Sequence, residues 1–131
     1  MVNLSEFSNG IQHVGIPSSD VDRTIEFYKS LGFETALVTS NKPNDDKVAF
    51  LKMGNMVIES YGNHDTVKRA GAIDHIAIDV KNIEKLYEEI KGAGYRFAEP
   101  GLQSLPFWEN GIKYFIILGP DDEKIEFCEI L

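Results

Sequence analysis

Cysteine is nearly missing from this chain. Cys128 stands alone among 131 residues, so no internal disulfide can form and a small disulfide-stapled framework is excluded. Positive charge is scarce as well: 13 Lys and Arg are spread singly against 21 Asp and Glu. The net charge of −8 leaves no basic stripe for phosphates, which makes nucleic acid and anionic membrane poor partners. No apolar run approaches the ~20 residues of a membrane span. The opening MVNLSEFSNG has neither the basic start nor the apolar core of a signal peptide. The expectation is a soluble cytoplasmic protein. A domain of this length buries roughly two-thirds of the surface its unfolded chain exposes, so a metal found in it serves function rather than mere cohesion.

What the chain does contain is a duplication. Residues 11–33 (IQHVGIPSSDVDRTIEFYKSLGF) align without a gap on residues 73–95 (IDHIAIDVKNIEKLYEEIKGAGY), at an offset of 62 that carries His13 onto His75 and Gly32 onto Gly94. Each copy reads as a strand (11–16, 73–80) followed by a helix. Asp20 and Asn82 are the expected N-caps. Val21, Ile25, Tyr28 and Leu31, then Ile83, Leu86, Tyr87 and Ile90, recur at helical spacing, and Gly32 and Gly94 end the two helices.

Three strands are expected after each helix. In the first half they cover 34–39, 47–53 and 56–61, with Gly54-Asn55 as a two-residue hairpin turn. In the second they cover 96–99, 111–118 and 124–130, with the turn at Gly119-Pro120-Asp121-Asp122. Loops are expected at 41–46, which holds Asp45 and Asp46, and at 63–71, the reasonable linker. The chain is thus a single α+β domain (1–131) of two tandem βαβββ modules, about 9–63 and 72–131. A repeat of this length in two copies is no solenoid.

Two-residue periodicity gives this duplication a chemical meaning. His13 shares a strand face with Ile11 and Gly15, and His75 with Ile73 and Ala77, so the two imidazoles point the same way in their modules. Glu59 follows Ile58 and Glu126 follows Ile125 in the closing strands. Two His and two Glu at repeat-equivalent strand positions make a four-ligand set, suited to one divalent Ni, Co or Zn ion with positions left open for substrate oxygens. Taken singly, each has a plain structural reading, as a hydrogen-bonded histidine or a solvent-facing glutamate. Glu129 competes with Glu126, but parity puts it on the opposite face.

The stretches QHVGI with a helix ending LGF, VIES, DHIAIDV and GPDDEKIEF resemble the vicinal oxygen chelate superfamily, and within it the glyoxalase I (lactoylglutathione lyase-like) branch. The resemblance covers nearly the whole chain. It implies paired βαβββ modules forming a cupped, roughly eight-stranded mixed sheet around one divalent metal. It makes His13, Glu59, His75 and Glu126 the ligands, Glu126 or Glu59 the catalytic base, and a homodimer the assembly. The implied reaction is proton transfer next to a metal-bound carbonyl of a hemithioacetal or small α-hydroxycarbonyl. Asn63 matches an asparagine that contacts glutathione in that branch. Pro17 stands near the position where glutathione-using members carry an arginine, so these two positions point opposite ways on glutathione.

Two alternatives follow from the same resemblance: another enzyme of the superfamily, such as an epimerase, and a metal-free small-molecule-binding module of the resistance type. Among the remaining residues, Phe107 and Trp108 lie in an expected loop, 103–110, as candidate substrate-covering aromatics. His64, Arg69, Arg96 and the helix lysines read as solvated surface, and Cys128 as a small inert residue.

Overall fold

The computed structural model describes residues 3–41, 46–62 and 65–131. The chain divides between Thr66 and Val67 into two compact units. The first contains β1 (Val14–Ser18), α1 (Val21–Ser30), β2 (Glu34–Asn41), β3 (Asp46–Met53) and β4 (Met56–Gly62). The second contains β5 (His75–Asp79), α2 (Ile83–Gly92), β6 (Gln103–Leu105), β7 (Ile112–Leu118) and β8 (Lys124–Ile130). Each is βαβββ, as the duplication implies, and the eight described strands form two four-stranded mixed sheets ordered β1-β4-β3-β2 and β5-β8-β7-β6. In each sheet the first strand runs parallel to the last, and the other pairings are antiparallel. β1 is an edge strand, which is why it tolerates Pro17, a residue with no N–H to give a second neighbour.

Each sheet buries one face against its own helix. In the first unit Val21 and Tyr28 of α1 join Phe33, Leu51 and Ile58, all buried. Two neighbouring positions, Ser18 and Thr24, are polar yet only 1% exposed, and they satisfy each other through a 2.7 Å hydroxyl–hydroxyl bond. In the second unit Ile83 and Ile90 of α2 cover Phe115, Ile117, Ile125 and Phe127. Aromatic rings add to that core: Phe115 meets Tyr87 at 5.3 Å and Phe127 at 5.0 Å between centroids. An exposed ion pair reaches from each helix to its sheet at equivalent places, Asp22 with Lys47 and Glu84 with Lys113. The helices end as expected, with Gly32 at φ +100° and Gly94 at φ +83°.

Several expected boundaries are corrected. Asp46 opens β3 and Asn41 closes β2, so the expected loop 41–46 is shorter; residues 42–45, Asp45 included, lie outside the described residues. β5 begins at His75 because its single neighbour, β8, begins at the partner residue Lys124. The expected strand 96–99 is reduced to a bridge between Phe97 and Ile117. There Pro100 has no N–H, Gly101 at φ +89° turns the chain, and pairing with β7 resumes in β6. The expected loop 103–110 therefore contributes a strand.

Asp20 caps α1 by accepting the Arg23 N–H, whereas Asn82 sits at φ +55° and its side chain makes no cap bond. The carboxylate of Glu129 does that work, accepting the Asn82 N–H at 2.9 Å and the Ile83 N–H at 3.3 Å. Arg96 is not a loose surface charge: its guanidinium donates to the Gly119 carbonyl and pairs with Asp122, fastening the 119–122 turn.

Candidate functional site

The register of the parallel pairs decides where the histidines and glutamates stand. Gly15 lies opposite Glu59 across β1 and β4, and Ala77 lies opposite Glu126 across β5 and β8. His75 opens β5 and so shares the face of Glu126, the one turned away from the helix, whereas β1 begins at Val14 rather than at the expected residue 11, and His13 reaches Glu59 from just before the strand. Between His and Glu sits only a glycine or an alanine. A Cβ at Gly15 would stand 3.6 Å from Glu59 Oε1 and 3.5 Å from Tyr61, so a methyl fits there and little more does.

Over these small residues the side chains lean together. His13 Nε2 is 3.6 Å from Glu59 Oε1, and His75 Nε2 is 3.0 Å from Glu126 Oε2. Two donors about 2.1 Å from one ion lie about 3.0 Å apart at a right angle and about 3.4 Å apart at a tetrahedral angle. The His75–Glu126 pair falls in that range, and the His13–Glu59 pair stands slightly wider than it. Each pair offers an imidazole nitrogen and a carboxylate oxygen, donor types that a divalent transition-metal ion accepts. Among the described residues no group of three or more His, Cys, Asp or Glu side chains gathers at one point. Glu126 is the more sheltered carboxylate, its side chain 14% exposed against 27% for Glu59.

The second nitrogen of each ring is also engaged. His13 Nδ1 meets Gln12 Oε1, and His75 Nδ1 meets Asp74 Oδ2 at 2.9 Å. The Asp74 carboxyl is held below the usual carboxylate range, first by the hydrogen bond from His75 and then by that from Lys124, against the opposing effect of its desolvation. Phe50, the register partner of Glu59, stands edge-on to the His13 ring at 5.6 Å between centroids. Gln12, Asp74, Lys124 and Phe50 were not singled out by the sequence. The duplication held a signal for two of them, since Gln12 and Asp74 are equivalent positions and both carry a side-chain acceptor.

Other residues fall elsewhere. Phe107 and Trp108 are exposed in the loop after β6, on the opposite edge of the second sheet from β5. Trp108 lines an open groove of about 620 Å³ with Leu105, Ile112 and Leu131, and that lining includes neither His75 nor Glu126. Asn63 and His64 lie outside the described residues. Cys128 shares the face of Glu126, and its thiol is pushed up by burial and then by the charges of Glu126 and Asp79, as suits an inert residue. Glu129 faces α2, which removes it as a competitor of Glu126.

No described helix is long and apolar enough to cross a membrane. The chain is 29% identical to the uncharacterized protein YwbC of Bacillus subtilis (strain 168) over 126 residues, which is 91% of this chain and 96% of that one. A glyoxalase family protein from Enterococcus faecalis matches its structure with a TM-score of 0.78 at 27% identity, over 94% of this chain and 99% of the other. The fold is also that of the fosfomycin resistance protein FosX of Listeria monocytogenes, solved with Mn(II) and sulfate. That match has a TM-score of 0.71 at 16% identity and covers 95% of each chain. The profile of the Glyoxalase/Bleomycin resistance protein/Dioxygenase superfamily matches residues 10–127, and with the duplicated βαβββ fold behind that match, the chain belongs to this superfamily.

Proposed function

We propose that this protein is a metal-dependent lyase or isomerase of the glyoxalase I type, in which His13, Glu59, His75 and Glu126 hold one divalent Ni, Co or Zn ion. The observation that carries this reading is the repetition of a His–Glu pair at 3.6 and 3.0 Å on the same face of both modules. Two half-sites make one four-ligand site when they face each other, within one chain or between the chains of a homodimer. The same reading has one domain spanning the chain, a cytoplasmic location and a small-molecule substrate, with Asn63, Phe107 and Trp108 contacting it.

An ion held there supplies Lewis acidity to the oxygens of an α-hydroxycarbonyl, which makes the neighbouring C–H more acidic. The protein's share is proton transfer. Glu126, the better sheltered carboxylate, takes the proton from one carbon and returns it to the next, so no electron leaves the substrate and no oxidant is needed. Gly15 and Ala77 keep the space above the β-ladder open for the reacting atoms. Pro17 lies beside Tyr61 on this face and offers no charge for a thiol carboxylate, which favours a carbonyl substrate other than a glutathione adduct.

Metal content measured together with turnover of methylglyoxal plus glutathione, and of small α-hydroxycarbonyls, tests the proposal. Glu126→Gln is expected to bind substrate yet lose kcat by a factor on the order of 10²–10⁴. Active enzyme that never exchanges or relocates the substrate hydrogen, or that consumes O₂, refutes it. Light scattering that gives a monomer at micromolar concentration counts against the homodimer.

A further inference from the structure

The two half-sites differ in one respect that the duplication did not preserve. In the first, the residue before the histidine is Gln12, and the position two before the glutamate is Val57. In the second these are Asp74 and Lys124. Asp74 uses both oxygens: Oδ2 meets His75 Nδ1 at 2.9 Å, and Oδ1 accepts from Lys124 Nζ at 3.3 Å. Lys124 is also the register partner of His75, so the strand pairing itself brings the three side chains together.

The chemistry of the two acceptors is not the same. A glutamine amide presents an oxygen or an NH₂, so it can accept from a ring N–H or donate to a bare ring nitrogen. An ionised carboxylate only accepts. A neutral imidazole has a single N–H, and His75 stands between two carboxylates, Asp74 on Nδ1 and Glu126 on Nε2. If the proton sits on Nδ1, the Nε2 lone pair is free toward Glu126, where a cation would lie. If it sits on Nε2, that nitrogen has no lone pair to offer a cation beside Glu126.

We propose that Asp74 is a positioning residue that holds His75 as the Nδ1–H tautomer and aims its Nε2 lone pair at the space shared with Glu126, with Lys124 anchoring Asp74 in that role. The inference rests on the reading of His75 and Glu126 as ligands of a divalent cation. With both oxygens occupied, Asp74 is itself withheld from the ion. The second module becomes the better organised half-site, while His13, with its neutral amide partner, has no such lock.

The test begins with protein that carries no metal. In alkaline solution, long-range ¹H–¹⁵N spectra of ¹⁵N-labelled imidazoles are expected to show His75 protonated on Nδ1, and Asp74→Ala is expected to move that proton to Nε2, where Glu126 accepts it. Zn²⁺ affinity, read by competition with a chromophoric chelator, is expected to fall about 10- to 100-fold in Asp74→Ala, the usual cost of losing the partner that orients a ligating histidine. Asp74→Asn keeps an acceptor oxygen and is expected to recover part of both effects, which separates positioning from a folding defect. Wild-type Zn²⁺ affinity in Asp74→Ala overturns the proposal whatever tautomer it holds, as does an unchanged tautomer. Wild-type affinity in His75→Ala instead sinks the ligand reading itself, and the two failures are thereby distinct.

Discussion

Replacing Glu129 by Ala removes a helix cap that comes from a strand far away in sequence. In the native protein its two carboxylate oxygens accept the Asn82 and Ile83 N–H groups at 2.9 and 3.3 Å, while Asn82 offers no cap of its own. Loss of a capping side chain costs about 0.5–2 kcal/mol. Removing a negative charge from a helix N-terminus adds about 0.3–1 kcal/mol. Asn82 is exposed, so its freed N–H turns to water and the total falls toward the lower end, about 1 kcal/mol. For 131 residues that is a Tm lower by roughly 3–5 °C. Urea unfolding followed by circular dichroism reads it, and Glu129→Gln, which keeps one acceptor oxygen, is expected to lose about half as much. A Glu129→Ala protein within about 0.3 kcal/mol of wild type would refute the capping argument. Zn²⁺ affinity is expected to stay at the wild-type level, and its loss would make Glu129 the ligand in place of Glu126.

Three further outcomes are expected. Thr24→Val keeps the shape of a side chain that is 1% exposed but leaves the Ser18 hydroxyl with only the Asp20 N–H that it accepts; about 0.5–1.5 kcal/mol lower stability in urea is expected, and no change would mean that the pair contributes nothing. The Ser60 hydroxyl is buried with no hydrogen-bond partner among the described residues, so Ser60→Ala is expected to be neutral or stabilising in the same assay, and destabilisation beyond ~1 kcal/mol would reveal a missed partner. Gly15→Ala is expected to leave Zn²⁺ binding intact, because its methyl meets neighbours at ordinary contact distances of 3.5 and 3.6 Å. Gly15→Leu is expected to displace Glu59 and weaken binding, and equal affinities for the two variants would show that the small residue is not required.

The elements carried by strong local periodicity are legible in the residue order alone. Both helices, their glycine stops, the Gly54 turn and the strands β3, β4, β7 and β8 follow from it, because side chains repeat every two or 3.6 residues and left-handed backbone selects glycine. Parity likewise puts Glu129 on the opposite strand face from Glu126, and the structure shows that its face is the one that meets the helix. The edge of the second sheet is not legible in this way. Residues 96–98 and 103–105 both pair with β7, and which part of an exposed, Pro- and Gly-interrupted stretch forms a strand depends on the free N–H and C=O groups of a neighbour that the stretch does not contain.

The sequence by itself determined the duplication, and through it the equivalence of His13 with His75 and the superfamily to which the chain belongs. Only the tertiary structure decided which side chains touch. The register of β1 on β4 and β5 on β8 sets Gly15 and Ala77 beneath the His–Glu pairs, brings Lys124 to Asp74, and sends Glu129 to the helix that Asn82 leaves uncapped. Such contacts join residues about fifty positions apart. Local periodicity fixes the direction of a side chain on its own strand, but its partner depends on how far one strand slides along another, and that is set by packing of the whole sheet.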